Sequence, residues 1–146
     1  MPTVNFKTNG KWSGCMRMDA AIRQFQVTFD EPPSLGGEDT APNPVEVLLS
    51  SLLGCLGIVT CIVAGERGYA LEGVEIDVEG GLDPRGFMGQ DSDVRSGLST
   101  VRYTVKIKGD LDAKELDDFC REVERRCPVS DTMKNGTSVE GQFVMV

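Results

Sequence analysis

Hydrophobic and polar residues alternate along several short segments of the chain, and a period of two predicts β-strands. The alternating segments are residues 3–9, 11–18, 22–29, 71–80, 98–108 and 138–146. Asn9-Gly10 separates the first two segments and predicts the turn of a β-hairpin. Residues 30–44 are rich in proline and glycine, which predicts a loop.

A long apolar segment follows that loop and predicts a helix from Pro44 to about Arg67. Asn43 suits the N-cap, proline suits the first helical position, and Gly68 suits the end. The segment from Val47 to Gly65 contains no charged residue, which approaches the composition of a membrane span. Because serine, threonine and glycine interrupt it, we expect no membrane partner and a helix buried inside a soluble protein.

Residues 112–126 place their apolar side chains on one stripe, which predicts an amphipathic helix, and Pro128 can open another helix. The predicted order is three strands, a long helix, two strands, one or two helices and a final strand. This order is typical of an α+β fold rather than of regular βαβ alternation. The length of 146 residues suits a single domain, residues 1–146.

Histidine is absent from the chain, which excludes Cys–His pairs and imidazole metal ligands. With a net charge of −8 and no cluster of lysine and arginine, we expect no nucleic-acid partner. The odd number of cysteines and the lack of a signal-peptide pattern predict free thiols in a reducing cytoplasm. The chain has five cysteines, and no two of them have the C-x-x-C spacing. They are Cys15, Cys55, Cys61, Cys120 and Cys127.

Cys127 follows Arg125 and Arg126 and precedes Pro128. If Pro128 opens a helix, Cys127 lies at its N-cap beside two guanidinium groups. Both features favour a thiolate, and a structural cysteine at a turn is the alternative.

Cys55 lies in the middle of the predicted long helix, between Gly54 and Leu56. Burial there would keep its thiol protonated and unreactive. Judged by its position alone, Cys55 is therefore interpreted as a core residue. The flanking glycine would also allow a substrate or another backbone to approach closely. Cys61 faces away from Cys55 at about 100° per residue, and we interpret it as a core residue. The two remaining cysteines are interpreted as structural.

Two motifs resemble those of the osmotically inducible protein C / organic hydroperoxide resistance (OsmC/Ohr) family. Asn43–Glu46, with the sequence Asn-Pro-Val-Glu, opens the helix of Cys55, and Cys127–Ser130, with the sequence Cys-Pro-Val-Ser, follows downstream. The resemblance covers essentially the whole chain. It implies an intertwined homodimer in which antiparallel sheets wrap around long central helices, with active sites where the subunits meet.

The resemblance also implies a thiol-dependent peroxidase for organic hydroperoxides. Cys55 would be the peroxidatic cysteine, which forms a sulfenic acid, and Cys127 the resolving cysteine, which forms a disulfide with it. A dithiol reductant of the lipoyl type would reduce that disulfide. No metal and no cofactor is implied.

The chain departs from the peroxidase branch of the family in two places. Val45 stands where that branch has glutamate, and Glu46 supplies an acid one residue later. The thiolate-stabilising arginine of the family comes from an early strand; Arg17 is the first candidate, with Arg23 and Arg85 as alternatives. We therefore interpret the chain as closer to the OsmC-like branch. A stress or binding protein with little turnover, or another single-cysteine thiol chemistry, remains an alternative.

Overall fold

The computed structural model of the chain describes residues 2–145. The boundary between two compact units falls after Leu48. The predicted α+β class, with antiparallel sheets and one long helix, is confirmed, and the single domain stays a prediction. The elements are β1 (Asn9–Gly14), β2 (Arg17–Ile22), β3 (Phe25–Phe29), α1 (Pro44–Arg67), β4 (Leu71–Gly81), α2 (Pro84–Phe87), β5 (Thr100–Gly109), α3 (Ala113–Arg126) and α4 (Pro128–Asn135).

The N-terminal unit contains an antiparallel sheet in the order β1-β2-β3. Two-residue turns join its strands, at Cys15-Met16 and at Arg23-Gln24. Cys15 and Arg23 have positive φ angles of 49° and 57°. Tight hairpins between twisted strands favour this backbone conformation.

The hairpin turn predicted at Asn9-Gly10 is wrong, because both residues lie inside β1 and pair with β2. A Cβ atom on Gly10 would lie 3.0 Å from the carbonyl oxygen of Asp19. The glycine therefore permits a close approach of two strands rather than a turn. The strand predicted over residues 3–9 is also wrong, because residues 2–8 pair with no strand of the described chain.

The loop predicted over residues 30–44 is confirmed, and the carboxylate of Asp30 organises it. Asp30 is buried and accepts hydrogen bonds from the N–H and hydroxyl of Thr40, at 3.0 and 2.7 Å, and from the N–H of Glu31, at 2.8 Å. These donors, Thr40 foremost, lower the pKa of Asp30 to about 2. A short 3-10 turn, Pro33–Leu35, lies within the loop.

Helix α1 has the predicted ends. The N–H of Glu46 donates to Asn43 Oδ1 at 2.9 Å, and the N–H of Asn43 donates to the Glu46 carboxylate at 2.8 Å. These reciprocal bonds form a capping box. At the other end Gly68 has a φ of 73°, and the N–H of Tyr69 donates to the carbonyl of Ala64 at 2.9 Å. Such bonds close the last turn of a helix.

The C-terminal unit is built on a two-stranded antiparallel ribbon of β4 and β5. Residues of α1 and α3 form the core against which the ribbon packs. Phe119 is fully buried, and its ring meets that of Tyr69 edge to face at 5.8 Å. The buried apolar residues of this core are Leu52, Leu56, Val59, Val63, Ala64, Phe119, Val123 and Cys127.

One face of α1 is buried in this core, and another face is exposed. Leu53, Ile58 and Ile62 are 40%, 64% and 45% exposed. Within residues 2–145, α1 is the one helix that is long and apolar enough to cross a membrane by length and composition. A core helix of a soluble protein passes the same test, and 33% of the most apolar window of α1 is buried in the structure.

The final strand predicted over residues 138–146 is not formed in the described part of the chain. Residues 136–145 belong to no helix or strand, and Val139 and Phe143 are exposed. Val146 lies outside the described residues. An alternating sequence becomes a strand only where a neighbouring strand completes its backbone hydrogen bonds, and none of the described strands pairs with this segment.

Candidate functional site

The structure brings Cys55 and Cys127 together, although 72 residues separate them in the sequence. Cys55 lies on α1, and Cys127 lies between α3 and α4. The thiol of Cys127 donates a hydrogen bond to Cys55 Sγ, with 3.0 Å between the sulfur atoms. Cys127 is fully buried, whereas Cys55 is partly exposed. The site therefore contains one enclosed thiol and one that an external molecule can approach.

Cys127 is the N-cap of α4, as the sequence predicts, and its Sγ accepts a hydrogen bond from the N–H of Ser130 at 3.4 Å. That bond favours the thiolate, but burial raises the pKa of the Cys127 thiol, and the hydrogen bond to Cys55 raises it further. The expectation that Cys127 favours a thiolate is therefore wrong. Protonated Cys127 is instead the hydrogen-bond donor in its contact with Cys55.

The two guanidinium groups beside Cys127 in the sequence are engaged with carboxylates. Arg125 forms hydrogen bonds of 2.9 and 2.8 Å with Glu122. Arg126 forms an ion pair with Glu66 on α1, with one contact of 3.0 Å. Their position next to Cys127 in the sequence therefore does not mean that they stabilise its thiolate. Neighbouring side chains at the end of a helix point in different directions.

The other cysteines are not part of this pair. Cys61 is exposed, so its interpretation as a core residue is wrong. Cys15 lies in the turn between β1 and β2 and donates to the carbonyl of Gly36 at 2.9 Å. Cys120 is partly buried on α3, and burial raises the pKa of its thiol.

Arg17 and Glu46 both lie in the N-terminal unit, each with local partners. Arg17 donates from Nε and Nη2 to Asp19 Oδ1, at 3.3 and 3.2 Å. The hydroxyl of Thr28, which donates to the same oxygen at 2.7 Å, is the main cause of the lowered pKa of the Asp19 carboxyl, and Ser13 and Arg17 lower it further. The backbone and carboxylate of Glu46 form the capping box of α1 with Asn43.

The two alternative arginines also have local partners. The guanidinium of Arg23 lies over the ring of Phe25, with 5.2 Å to the ring centroid. Arg85 lies in α2 and pairs with Asp83 at 2.6 Å and with Asp91 at 3.4 Å. Asp83 is also the N-cap of α2, so Arg85 has a structural role in the connection between β4 and β5.

A cavity of about 250 Å³ in the C-terminal unit is lined by neighbours of the thiol pair, although neither Cys55 nor Cys127 lines it. Leu52, one turn before Cys55, and Ser130, whose N–H contacts Cys127, both line it. Tyr103 contributes a hydroxyl, which donates to Glu124 Oε1 at 2.6 Å. Burial and the Glu124 carboxylate raise the pKa of Tyr103. The remaining lining residues are Arg95, Leu98, Ser99, Thr100, Val101, Met133 and Lys134.

A model of the OsmC-like protein family matches residues 36–141, which include both cysteines of the pair. This chain belongs to the OsmC-like family. A comparison with curated protein sequences gave no match.

Solved structures of OsmC-like and organic hydroperoxide resistance proteins share the fold of this OsmC-like chain. The OsmC-like protein from Mycoplasma pneumoniae superposes with a TM-score of 0.78 at 21% identity, over 90% of this chain and 88% of that one. An organic hydroperoxide resistance protein from Elizabethkingia anophelis has a TM-score of 0.70 at 15% identity, over 91% and 90%. The OsmC organic hydroperoxide resistance protein from Legionella pneumophila has a TM-score of 0.65 at 15% identity, over 93% of both chains.

Sequence reasoning missed the cavity of this OsmC-like chain. Tyr103 was predicted as part of an alternating strand, and Arg95 lies in the long connection between β4 and β5. A solvent-facing arginine in a loop has no periodic signal, so only the fold reveals that it lines a cavity beside two thiols. Among the described residues, no group of three or more cysteine or carboxylate side chains could hold a metal ion.

Proposed function

We propose that this OsmC-like chain is a thiol-dependent peroxidase that reduces organic hydroperoxides in oxidative-stress defence. The observation that carries the proposal is the 3.0 Å contact between the sulfur atoms of Cys55 and Cys127. The partly exposed thiol is positioned to meet a hydroperoxide, and the buried thiol is positioned to resolve the product. Two neighbours of this fold are organic hydroperoxide resistance proteins, which supports the same chemistry.

The proposed reaction begins when the Cys55 thiolate attacks the hydroperoxide. An S–O bond forms, the O–O bond breaks, and the alkoxide leaves as the alcohol after taking a proton. Cys55 becomes a sulfenic acid. The Cys127 sulfur then attacks Cys55, and hydroxide leaves with the Cys127 proton as water, which leaves a disulfide. The two sulfur atoms need to approach by about 1 Å to reach bonding distance.

A dithiol of the lipoyl type completes the proposed cycle. One of its sulfur atoms attacks the disulfide to form a mixed disulfide, and its second sulfur displaces the protein thiol. Two electrons and two protons thus pass to the cysteine pair, and the reductant leaves as a cyclic disulfide. The cycle requires no metal and no bound cofactor.

Arg17 is the proposed cation for the Cys55 thiolate, from the same or the partner subunit, with Glu46 steering it. Histidine is absent from the chain, and α1 carries no arginine or lysine between Pro44 and Glu66. An arginine from another element is therefore the strongest available means of stabilising the thiolate. In this role Arg17 would exchange its present hydrogen bonds to Asp19.

We further propose an intertwined homodimer in the cytoplasm. Exposed leucine and isoleucine side chains on α1 form an apolar surface that a second copy would cover, and the glycines at 54 and 65 leave open space for close packing. All five cysteines are free, which suits a reducing compartment.

A second candidate function is that of an OsmC-like stress or binding protein with little peroxidase turnover. Val45 stands at the position where the peroxidase branch has glutamate, and Glu46 caps α1 through Asn43. This engagement favours a structural role for the acid rather than a steering role.

Initial rates of hydroperoxide consumption separate the two candidates. We expect cumene hydroperoxide to be reduced faster than hydrogen peroxide when a lipoyl dithiol is supplied. A rate no higher than that of the Cys55→Ser variant, with either peroxide, would overturn the peroxidase proposal and favour the low-turnover protein or another chemistry of Cys55.

A further inference from the structure

The cavity beside the thiol pair has a charge that contrasts with the rest of the chain. The whole chain has a net charge of −8, yet the residues lining the cavity include Arg95 and Lys134 and no carboxylate. A concave site with an apolar wall and a few convergent polar groups is the usual form of a small-molecule site. The positive charge of this cavity favours an anionic ligand.

Arg95 is the cavity residue whose positive charge is not paired with a carboxylate of residues 2–145. Lys134, by contrast, lies 3.6 Å from Glu124, which also accepts the hydroxyl of Tyr103. The charge of Lys134 is therefore shared with Glu124. The guanidinium of Arg95 remains the group in the cavity best able to bind an external anion.

The backbone around Arg95 is closely packed. Its side chain lies over Gly97, where a Cβ atom would meet Arg95 Nε at 3.4 Å. A Cβ atom on Gly86 would lie 2.8 Å from the carbonyl oxygen of Arg95. The N–H and hydroxyl of Ser99 both donate to the carbonyl of Gly81, at 2.8 and 3.0 Å. The connection is thus packed at Arg95 and hydrogen-bonded at Ser99, which holds the backbone of Arg95 beside the cavity.

Leu52, Leu98, Val101 and Met133 supply the apolar part of the cavity wall, and the other uncharged lining residues are Ser99, Thr100, Tyr103 and Ser130, which carry hydroxyl groups. Its volume of about 250 Å³ suits a short chain rather than a large ligand. We propose that this cavity binds a small molecule with an apolar body and a carboxylate, and that Arg95 is the residue that recognises the carboxylate.

Two participants in the proposed reaction can carry such a carboxylate, the hydroperoxide and the dithiol reductant. Leu52 and Ser130 line the cavity and flank the two thiols. Neither cysteine lines the cavity itself, so a ligand held by Arg95 would have to extend past Leu52 to reach the partly exposed Cys55. This part of the inference rests on the proposed peroxidase function, whereas the binding of a carboxylate does not.

Calorimetric titration with octanoate and with octanamide tests the binding. The two molecules have the same shape and differ in charge, so we expect octanoate to bind about fivefold tighter or more. Arg95→Gln should reduce octanoate binding to the level of octanamide. Arg102→Gln is the matched control, because Arg102 is exposed, lies outside the cavity and contacts Glu79 at 3.8 Å. Equal binding of the two molecules, or an unchanged preference in Arg95→Gln, would overturn the proposal.

Matched reactants then identify which participant uses the cavity. Rates of Cys55 oxidation are compared for 8-hydroperoxyoctanoic acid and its methyl ester, and rates of disulfide reduction for dihydrolipoate and dihydrolipoamide. A preference for the acid that Arg95→Gln removes assigns the cavity to that participant. If octanoate binds but neither comparison shows a preference for the acid, the cavity has no role in the reaction. If neither hydroperoxide is reduced, the peroxidase proposal fails, while the titration still decides the carboxylate site.

Discussion

Arg126 and Glu66 form an ion pair that joins the end of α3 to α1, the helix that also carries Cys55. Arg126 immediately precedes Cys127, so the pair fixes the helix end from which Cys127 reaches Cys55. It also lowers the pKa of the Glu66 carboxyl, because the guanidinium donates hydrogen bonds to it. The arginine beside the cysteine thus positions the thiol pair and does not ionise it.

Arg126→Gln should therefore slow formation of the Cys55–Cys127 disulfide and lower the midpoint of urea unfolding. The pKa of the Cys127 thiol, followed by its Cβ chemical shift because the buried thiol is closed to alkylating reagents, should move by less than about half a unit, since the guanidinium is held on Glu66 rather than on the thiol. Arg125→Gln serves as the control, since its partner Glu122 lies on the same helix. A large shift in the Cys127 pKa for Arg126→Gln alone would contradict this account.

The two cysteines should be separable in a single turnover. Cys55→Ser should reduce hydroperoxide consumption to the uncatalysed rate, because the nucleophile is lost. Cys127→Ser should consume one equivalent and leave a sulfenic acid on Cys55, because the resolving sulfur is lost. Trapping with a dimedone-type reagent followed by mass spectrometry locates the modified residue. Normal turnover of Cys55→Ser would show that the roles are wrongly assigned, and Cys61→Ser is the control on the same helix.

Local signals predicted α1, β4, β5, α3 and α4 well, whereas α2 was not predicted and the strand predicted over residues 138–146 is not formed in the described chain. Asn43, Pro44 and Gly68 mark the ends of α1 through capping and backbone geometry, which depend on neighbouring residues alone. The turns of the N-terminal sheet were mispredicted because Asn9-Gly10 has the composition of a turn but occupies a strand. Cys15 and Arg23 form the turns instead, in a conformation that non-glycine residues seldom adopt.

The candidate site depends on contacts that sequence patterns do not encode. The motif resemblance suggested that Cys55 and Cys127 act together, and their 3.0 Å contact is now a structural observation. The direction of the Cys127 pKa was mispredicted because burial depends on packing around the whole residue. Arg95 has no distinguishing signal in the sequence, because its place in the cavity follows from how the connection between β4 and β5 folds.

Asp30 should make the loop between β3 and α1 sensitive to acid. Its folded-state pKa of about 2 lies below the unfolded value of about 3.9, so its stabilising contribution is present above the unfolded value and is lost as pH falls toward 2. Asp30→Asn should lower the free energy of unfolding at pH 7. The difference in this free energy between variant and wild type should shrink as pH falls from about 4 to 2. Urea titrations at several pH values measure this. A difference independent of pH would contradict the role of the charge, and Asp39→Asn is the control in the same loop.

The exposed face of α1 should mediate self-association. A charge placed on an apolar interface is costly to bury, so Ile58→Glu should shift the protein from dimer toward monomer at micromolar concentration. Phe87→Glu is the control, because Phe87 is 48% exposed on α2. Sedimentation velocity measures the distribution. A wild-type protein that is a stable folded monomer at the same concentration would rule out the obligate dimer.

The thiolate of Cys55 should depend on an arginine. An unperturbed cysteine has a pKa of about 8.5 and is only a few per cent thiolate near pH 7, so a nearby permanent cation has a large effect. The hydrogen bond from Cys127 assists the thiolate but carries no charge. Arg17→Ala should therefore move the pH midpoint of Cys55 alkylation upward by about one unit or more, the scale expected when a close charge is lost. Arg17→Lys should recover part of the shift, because it restores the charge without the planar geometry.

Arg23→Ala and Arg85→Ala test the alternatives, and a shift confined to one of them would transfer the role to that residue. Unchanged midpoints in all three variants would mean that Cys55 has no cationic partner, which would favour the low-turnover function.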